Sequence, residues 1–86
     1  MALRILNFFQ EGCMACQEQE PINQEVESVL NIKIESINPL KNRSYIEEFQ
    51  LRVTPTLLIL KDGEVKARFE GVVHREQLEE AIRKYL

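Results

Sequence analysis

The only two cysteines of this chain, Cys13 and Cys16, are separated by two residues. They follow an apolar run over residues 3–9 and precede a stretch with a helical pattern. This placement predicts two thiols at a strand-to-helix turn, where unpaired backbone N–H groups and the helix dipole favour a thiolate over a thiol. Residues three positions apart at such a turn are close enough to join as a disulfide and to separate again. The pattern therefore indicates thiol–disulfide exchange.

The two thiols are expected to have different roles. With Cys13 at the helix N-cap, its sulfur faces solvent and the first N–H groups of the turn, so Cys13 is predicted to be the attacking thiol. Cys16 lies one turn further, is expected to be more buried, and is predicted to be the resolving thiol that releases the reduced substrate. Met14 and Ala15 shape the turn between the thiols and are assigned to substrate binding.

A single C-x-x-C pattern also fits half of a zinc site. Zinc needs about four ligands, and the rest of the chain offers only His74 and carboxylates, so zinc is disfavoured. Gly12-Cys13-x-x-Cys16 also resembles the Cu(I) motif of copper-chaperone domains. Those domains end in a strand, whereas this chain ends in an amphipathic helical pattern. We therefore predict no metal site, and no cofactor besides the redox-active disulfide Cys13–Cys16, with a Cu(I)-binding module as an alternative function.

A second candidate motif is Val53-Thr54-Pro55-Thr56, at the entrance to an apolar run that reads as a strand. Proline cannot donate to a β-ladder, so it belongs at the first position of a strand or in a turn. A cis bond between Thr54 and Pro55 would leave the backbone of Thr54 free to pair with an extended substrate segment. On this motif alone, an ordinary trans proline that begins a strand remains the alternative.

Composition places these motifs in one small domain, residues 1–86, with 44% hydrophobic residues and a net charge of -3. That charge gives no reason to bind nucleic acid or an anionic membrane. The longest apolar run, Leu57-Leu58-Ile59-Leu60, is too short to span a bilayer. Residues 1–12 lack the features of a secretory signal, and one close cysteine pair suits a reducing compartment. We expect a cytoplasmic monomer.

The apolar pattern predicts the order strand, helix, strand, helix, strand, strand, helix. The predicted strands are residues 3–9, 32–37, 56–60 and 65–69, and the predicted helices are about 14–30, 41–50 and 74–86. Helices link the first three strands, so these are expected to be parallel, with an antiparallel edge added by the final hairpin. The predicted fold is α/β, βαβαββα, a four-stranded mixed sheet with helices on both faces. The site is expected beyond the end of the first strand.

Several motifs together resemble the thioredoxin-like superfamily in a short form. They are Phe8-Phe9, Cys13-Met14-Ala15-Cys16, Pro21, Val53-Thr54-Pro55-Thr56-Leu57-Leu58, Lys61-Asp62-Gly63-Glu64 and Gly71, which span essentially the whole chain. The resemblance implies that the first cysteine attacks, that the second resolves and that Pro55 is cis. It also implies that the backbone around Pro55 and Gly71 holds the substrate. The implied activity is protein-disulfide reduction, with disulfide-containing proteins as substrates and a thioredoxin-reductase-type enzyme as electron donor.

The chain also departs from the family pattern. Gly12 replaces the tryptophan before the first cysteine, and Met14-Ala15 replace Gly-Pro. Asn7 replaces the family's buried aspartate, which can take the proton of the resolving thiol. We therefore predict that Cys16 loses its proton to water or to a nearby carboxylate. We also predict that it resolves the mixed disulfide more slowly than the family's aspartate-containing members do. Residues 70–74 lack the Gly-Gly-x-Asp pattern with which glutaredoxins hold glutathione, which favours protein substrates. An adaptor that binds partners without turnover stays an alternative.

Overall fold

The computed structural model describes residues 2–86, and its elements follow the predicted order. The strands are β1 (Leu3–Phe8), β2 (Ile34–Ile37), β3 (Thr56–Lys61) and β4 (Glu64–Glu70). The helices are α1 (Met14–Leu30), α2 (Ser44–Phe49) and α3 (Arg75–Arg83), and a short 3₁₀ turn (Pro39–Lys41) precedes α2. In this part of the chain, no helix combines the length and the apolar composition that crossing a membrane demands.

The strands form one mixed sheet in the order β2-β1-β3-β4. β2 is parallel to β1, but β3 is antiparallel to β1, so the prediction of three parallel strands is wrong. A helix between two strands allows a parallel crossover but does not require one. Here the connection from β2 passes through the 3₁₀ turn and the six-residue α2, and the chain re-enters the sheet at the end where β2 stops.

The antiparallel direction of β3 brings three connecting segments to the same end of the sheet, where β1, β2 and β4 end and β3 begins. Phe8, at the end of β1, pairs with Ile37 at the end of β2 and with Thr56 at the start of β3. Thr56 also pairs with Glu70 at the end of β4. The residues that follow Phe8, precede Thr56 and follow Glu70 therefore lie close to one another.

Helices cover both faces of the sheet, as predicted. β1 is buried on both sides because Ile5 belongs to the core beneath α1 and α3, while Leu6 belongs to the core beneath α2. On the α2 face, the ring of Phe8 packs at 5.4 Å from that of Tyr45 and 5.9 Å from that of Phe49. The core on the other face contains Ile5, Val26, Ile34, Leu57, Ile59, Val73, Leu78 and Ile82. Each fully buried aliphatic side chain contributes about 1.5–3 kcal/mol, so this core holds α1 firmly against β1.

Candidate functional site

Cys13 is the N-cap of α1, with the extended backbone angles φ -93° and ψ 109°. Its sulfur accepts a hydrogen bond from the backbone N–H of Cys16 at 3.1 Å, which satisfies one of the unpaired N–H groups at the helix start. Cys13 and Cys16 are joined as a disulfide, and their Cα atoms are 5.2 Å apart. In the reduced protein the same N–H group and the helix dipole favour a thiolate at Cys13.

The two sulfurs differ in accessibility. Cys13 is half-buried, whereas Cys16 is 7% exposed. Between them, Met14 projects into solvent with 83% exposure and Ala15 is half-buried. The turn therefore presents Cys13 and Met14 outward and shields Cys16 beneath them.

Thr54, which lies just before β3, contacts Cys13 at the end of the sheet where β1 stops. Its hydroxyl donates a hydrogen bond to the Cys13 sulfur at 3.5 Å, and its carbonyl oxygen lies 3.6 Å from the same sulfur. A hydroxyl that donates to sulfur stabilises the thiolate relative to the thiol. The sequence predicted Thr54 only as a substrate-binding residue. Its contact with the sulfur has no sequence signal, because it depends on the direction of β3.

Pro55 and Gly71 also lie at this end of the sheet, just before β3 and just after β4. The peptide bond between Thr54 and Pro55 is cis. The N–H of Gly71 donates to the carbonyl oxygen of Pro55 at 2.8 Å, and Gly71 has a φ of 85°, which glycine adopts without strain. The structure thus brings Cys13, Thr54, Pro55 and Gly71 together. We call the surface formed by Thr54, Pro55 and Gly71 the substrate groove, after the role predicted for these residues.

The charges next to the substrate groove are paired. Glu70 immediately precedes Gly71, and its carboxylate accepts hydrogen bonds from Arg52 at 3.0 Å and from Arg68 at 2.8 Å. The hydrogen bonds from Arg52 and then Arg68 hold the pKa of Glu70 below its ordinary value. The Glu70 carboxylate therefore stays ionised, and the two arginines compensate its negative charge near the groove.

Asn7 lies on β1 and is 4% exposed. Its Oδ1 meets no hydrogen-bond partner within residues 2–86. Side chains alternate along a strand, so Asn7 points to the same face as Ile5, the face that α1 covers. A groove of about 770 Å³ beside β2, which we call the rear groove, is lined by Asn7, Cys16 and Glu20 among others. Glu20 lies four residues after Cys16, so both are on one side of α1.

Gln19 is fully buried on the inward face of α1, a position at which the sequence indicated no functional residue. Its Oε1 accepts from the N–H of Val73 at 2.8 Å, and its Nε2 donates to the C=O of Val73 at 3.0 Å. Nε2 also donates to Oδ1 of Asn23 at 2.9 Å. The available signal was spacing, because Gln19 follows Cys16 by three residues and precedes Asn23 by four.

A structural zinc site would need further ligands beside the two cysteines. Residues 2–86 contain no group of three or more His, Cys, Asp or Glu side chains arranged to hold a metal ion. His74 is exposed at the N-cap of α3. The last described element is α3, not the strand that ends copper-chaperone domains.

Comparison with known proteins places these features in a family. The family model described as Thioredoxin matches residues 2–84. The chain is 34% identical over 80 residues to the protein named thioredoxin Y2, chloroplastic, of Arabidopsis thaliana, with 91% of this chain and 48% of that protein covered. It therefore spans about half the length of this plant relative. It is 32% identical over 84 residues to the thioredoxin of Chlamydia pneumoniae, with 96% of this chain and 82% of that protein covered.

Solved structures agree with these matches. The thioredoxin-2 of a malaria parasite superposes with a TM-score of 0.89 at 26% identity, covering 96% of this chain and 82% of that chain. A second structure, titled only as a malarial protein, superposes with a TM-score of 0.86 at 26% identity and covers 100% of this chain and 99% of that chain.

Proposed function

The chain belongs to the thioredoxin family, and from this premise we propose that it is a thiol–disulfide oxidoreductase that reduces disulfides of partner proteins through a mixed disulfide. The observation that carries the proposal is the position of Cys13. Its sulfur lies at the N-terminus of α1, within hydrogen-bond distance of the Cys16 N–H and the Thr54 hydroxyl. Membership of the family bears out the predicted thioredoxin-like fold.

The proposed cycle begins with the reduced pair. The Cys13 thiolate attacks one sulfur of a substrate disulfide; the substrate S–S bond breaks, a mixed disulfide forms, and the released substrate thiolate takes up a proton. Cys16 then loses its proton and attacks the Cys13 sulfur. The mixed disulfide breaks, the Cys13–Cys16 disulfide forms, and the second substrate thiol leaves. Two electrons pass to the substrate, and a reductase of the thioredoxin-reductase type is proposed to return the pair to the dithiol.

The proton of Cys16 needs an acceptor. The amide of Asn7 cannot take it, in contrast to the carboxylate that the family places there. We assign this role to water in the rear groove together with the carboxylate of Glu20. The support is that Cys16, Asn7 and Glu20 line the same groove and that Glu20 lies one helical turn from Cys16.

An extended segment of a partner protein is the proposed substrate. The backbone of Thr54 would pair with it as a neighbouring strand does. Gly71, whose own N–H is bonded to Pro55, would lie beside the bound segment. Met14 and Ala15 would contact the substrate beside the scissile disulfide, and Met14 is exposed enough to do so. A monomer in a reducing compartment such as the cytoplasm remains part of the proposal, supported by the absence of any cysteine besides the pair.

The test is reduction of insulin disulfides, driven by dithiothreitol, with the wild type compared with Cys13→Ser and Cys16→Ser. We expect catalysed reduction by the wild type and loss of turnover in both variants, with circular dichroism showing that all three proteins fold. A folded wild type without turnover would contradict the proposal. Tight Cu(I) binding by that inactive protein would then favour a metal module, and its absence would favour an adaptor.

A further inference from the structure

We propose that Gln19 is a positioning residue that ties the Gly71–Val73 segment to α1 and so sets the shape of the substrate groove. Gln19 touches neither sulfur in the cycle described above, and its role would be exerted through the backbone of Val73. The inference rests on the proposed function, because it concerns how the same groove receives a protein substrate.

The first support is the hydrogen-bonding requirement of Val73. Val73 is 3% exposed and lies between β4 and α3, outside any strand or helix, so no ladder or helical turn provides partners for its backbone. Buried backbone N–H and C=O groups without partners are costly. The Gln19 amide satisfies both groups of Val73, at 2.8 Å and 3.0 Å, as a neighbouring strand would.

The second support is the specificity of the amide. Its oxygen faces a donor and its nitrogen faces two acceptors, the C=O of Val73 and Oδ1 of Asn23. Both protons of Nε2 are therefore used. A carboxylate would oppose two acceptors at this position, and an apolar side chain of the same length would leave the Val73 groups unpaired.

The third support is the location of the tied segment. Gly71 is held at one end by its hydrogen bond to Pro55 at 2.8 Å, and Val73 is held at the other end by Gln19. Gln19 lies three residues after Cys16 on the same helix. The two anchors therefore fix the distance between the cysteine-bearing turn of α1 and the Gly71 wall of the groove.

A protein substrate needs this fixed wall, but a small disulfide does not. An extended segment must lie along Thr54, Pro55 and Gly71 while its sulfur reaches Cys13. A small disulfide needs only access to the Cys13 sulfur. Loss of the tie should therefore reduce reaction with proteins and leave the intrinsic reactivity of the thiol unchanged.

The test is Gln19→Met, which keeps the side-chain length and removes all three hydrogen bonds. We expect kcat/KM for insulin reduction to fall about tenfold, mainly through a higher KM, as expected when positioning interactions are lost. The rate with the small aromatic disulfide dithiobis(nitrobenzoate) should change by less than about twofold, since no group near the sulfur is altered. The matched control is Glu27→Ala. It removes another tie from α1 to backbone, the bond that Ile34 N–H donates to Glu27 at 2.7 Å, on the β2 side of the helix.

Hydrogen exchange gives a readout that does not depend on the variant folding. In the wild type, the Val73 amide should be protected like strand amides; exchange at the rate of open loops would overturn the proposal. The proposal would also be overturned if Gln19→Met lowered the rates with insulin and with dithiobis(nitrobenzoate) equally, or lowered neither. The same holds if Glu27→Ala selectively reduced the rate with insulin. An inactive wild type would contradict the proposed function, whereas an active wild type with an unaffected Gln19→Met variant would contradict only this inference.

Discussion

The hydroxyl of Thr54 donates a hydrogen bond to the sulfur of Cys13 across 3.5 Å, although 41 residues separate them in the chain. The contact exists because β3 is antiparallel to β1, so that β3 begins beside the residue at which β1 ends. The Cys13 sulfur thus accepts one hydrogen bond from its own helix and a second from Thr54, the residue before Pro55. We therefore expect both segments to influence the reactivity of this thiol.

Thr54→Val tests this contribution. The substitution keeps the shape of the side chain and removes the donor, so the Cys13 thiolate loses part of its stabilisation. We expect the rate of Cys13 alkylation by iodoacetamide at neutral pH to fall about two- to fivefold, the effect of a weak hydrogen bond to sulfur. Thr56→Val is the control, because it removes a hydroxyl that bonds only the Val53 carbonyl, at 2.7 Å. Equal rates for Thr54→Val and wild type would refute the role of the hydroxyl.

The sequence was sufficient to predict the elements and the two cysteines, because periodicity and a close cysteine pair are local signals. It failed for the direction of β3, because an intervening helix allows a strand to be parallel to the preceding one but does not require it. For the same reason it could not reveal that Thr54 touches the Cys13 sulfur. Gln19 was missed because its partner is the backbone of Val73, 54 residues away, and a backbone group leaves no mark in the sequence.

Asn7→Asp tests the proton acceptor for Cys16. The substitution places a carboxylate in a position that is 4% exposed, within reach of the rear groove. We expect the mixed disulfide to resolve faster at neutral pH, by about tenfold, in line with a positioned general base. Rapid-quench measurement of mixed-disulfide decay would show this, and a rate no faster than wild type would exclude a base at this position.

The same variant has a predicted pH dependence of stability. Burial raises the pKa of a carboxyl group above its ordinary value of about 3.9 for aspartate. Because the folded-state pKa is raised, the protonated carboxyl costs no stability below the unfolded-state pKa. The variant then loses stability as pH rises toward and through the folded-state pKa. Thermal melts should therefore show Asn7→Asp closest to wild type near pH 4 and furthest from it at pH 8. A difference independent of pH would mean that the carboxylate reaches water.

Glu20→Gln tests the carboxylate that we assign to the rear groove. Other carboxylates also line the rear groove, but Glu20 is the one that lies a helical turn after Cys16, so its loss should slow resolution of the mixed disulfide by about three- to tenfold. Glu18→Gln is the matched control, since it removes the same charge from an exposed position of α1 two residues away. Equal slowing in both variants would point to the overall charge of the helix instead of a proton acceptor.

Arg4 and Glu35 form an ion pair between β1 and β2, with nitrogen–oxygen distances of 2.9 and 2.8 Å. The hydrogen bonds from Arg4 lower the pKa of Glu35 below its ordinary value. A lowered folded-state pKa gives stability that is present above the unfolded-state pKa and lost as pH falls through the folded-state value. Both side chains are partly exposed, so we expect Glu35→Gln to cost about 1 kcal/mol or less at pH 7 and less than that near pH 3. Denaturant unfolding at the two pH values measures this, and an undiminished cost near pH 3 would contradict the assignment.

The most direct measurement is intact-mass and peptide analysis of the Cys16→Ser variant after reaction with a disulfide-containing protein such as insulin. We expect a one-to-one covalent adduct at Cys13 that dithiothreitol releases, because the attacking thiol is present and the resolving thiol is absent. Cys13→Ser under the same conditions should form no such adduct. An adduct at Cys16 in Cys13→Ser, or none at Cys13 in a folded Cys16→Ser protein, would contradict the assignment of Cys13 as the attacking thiol.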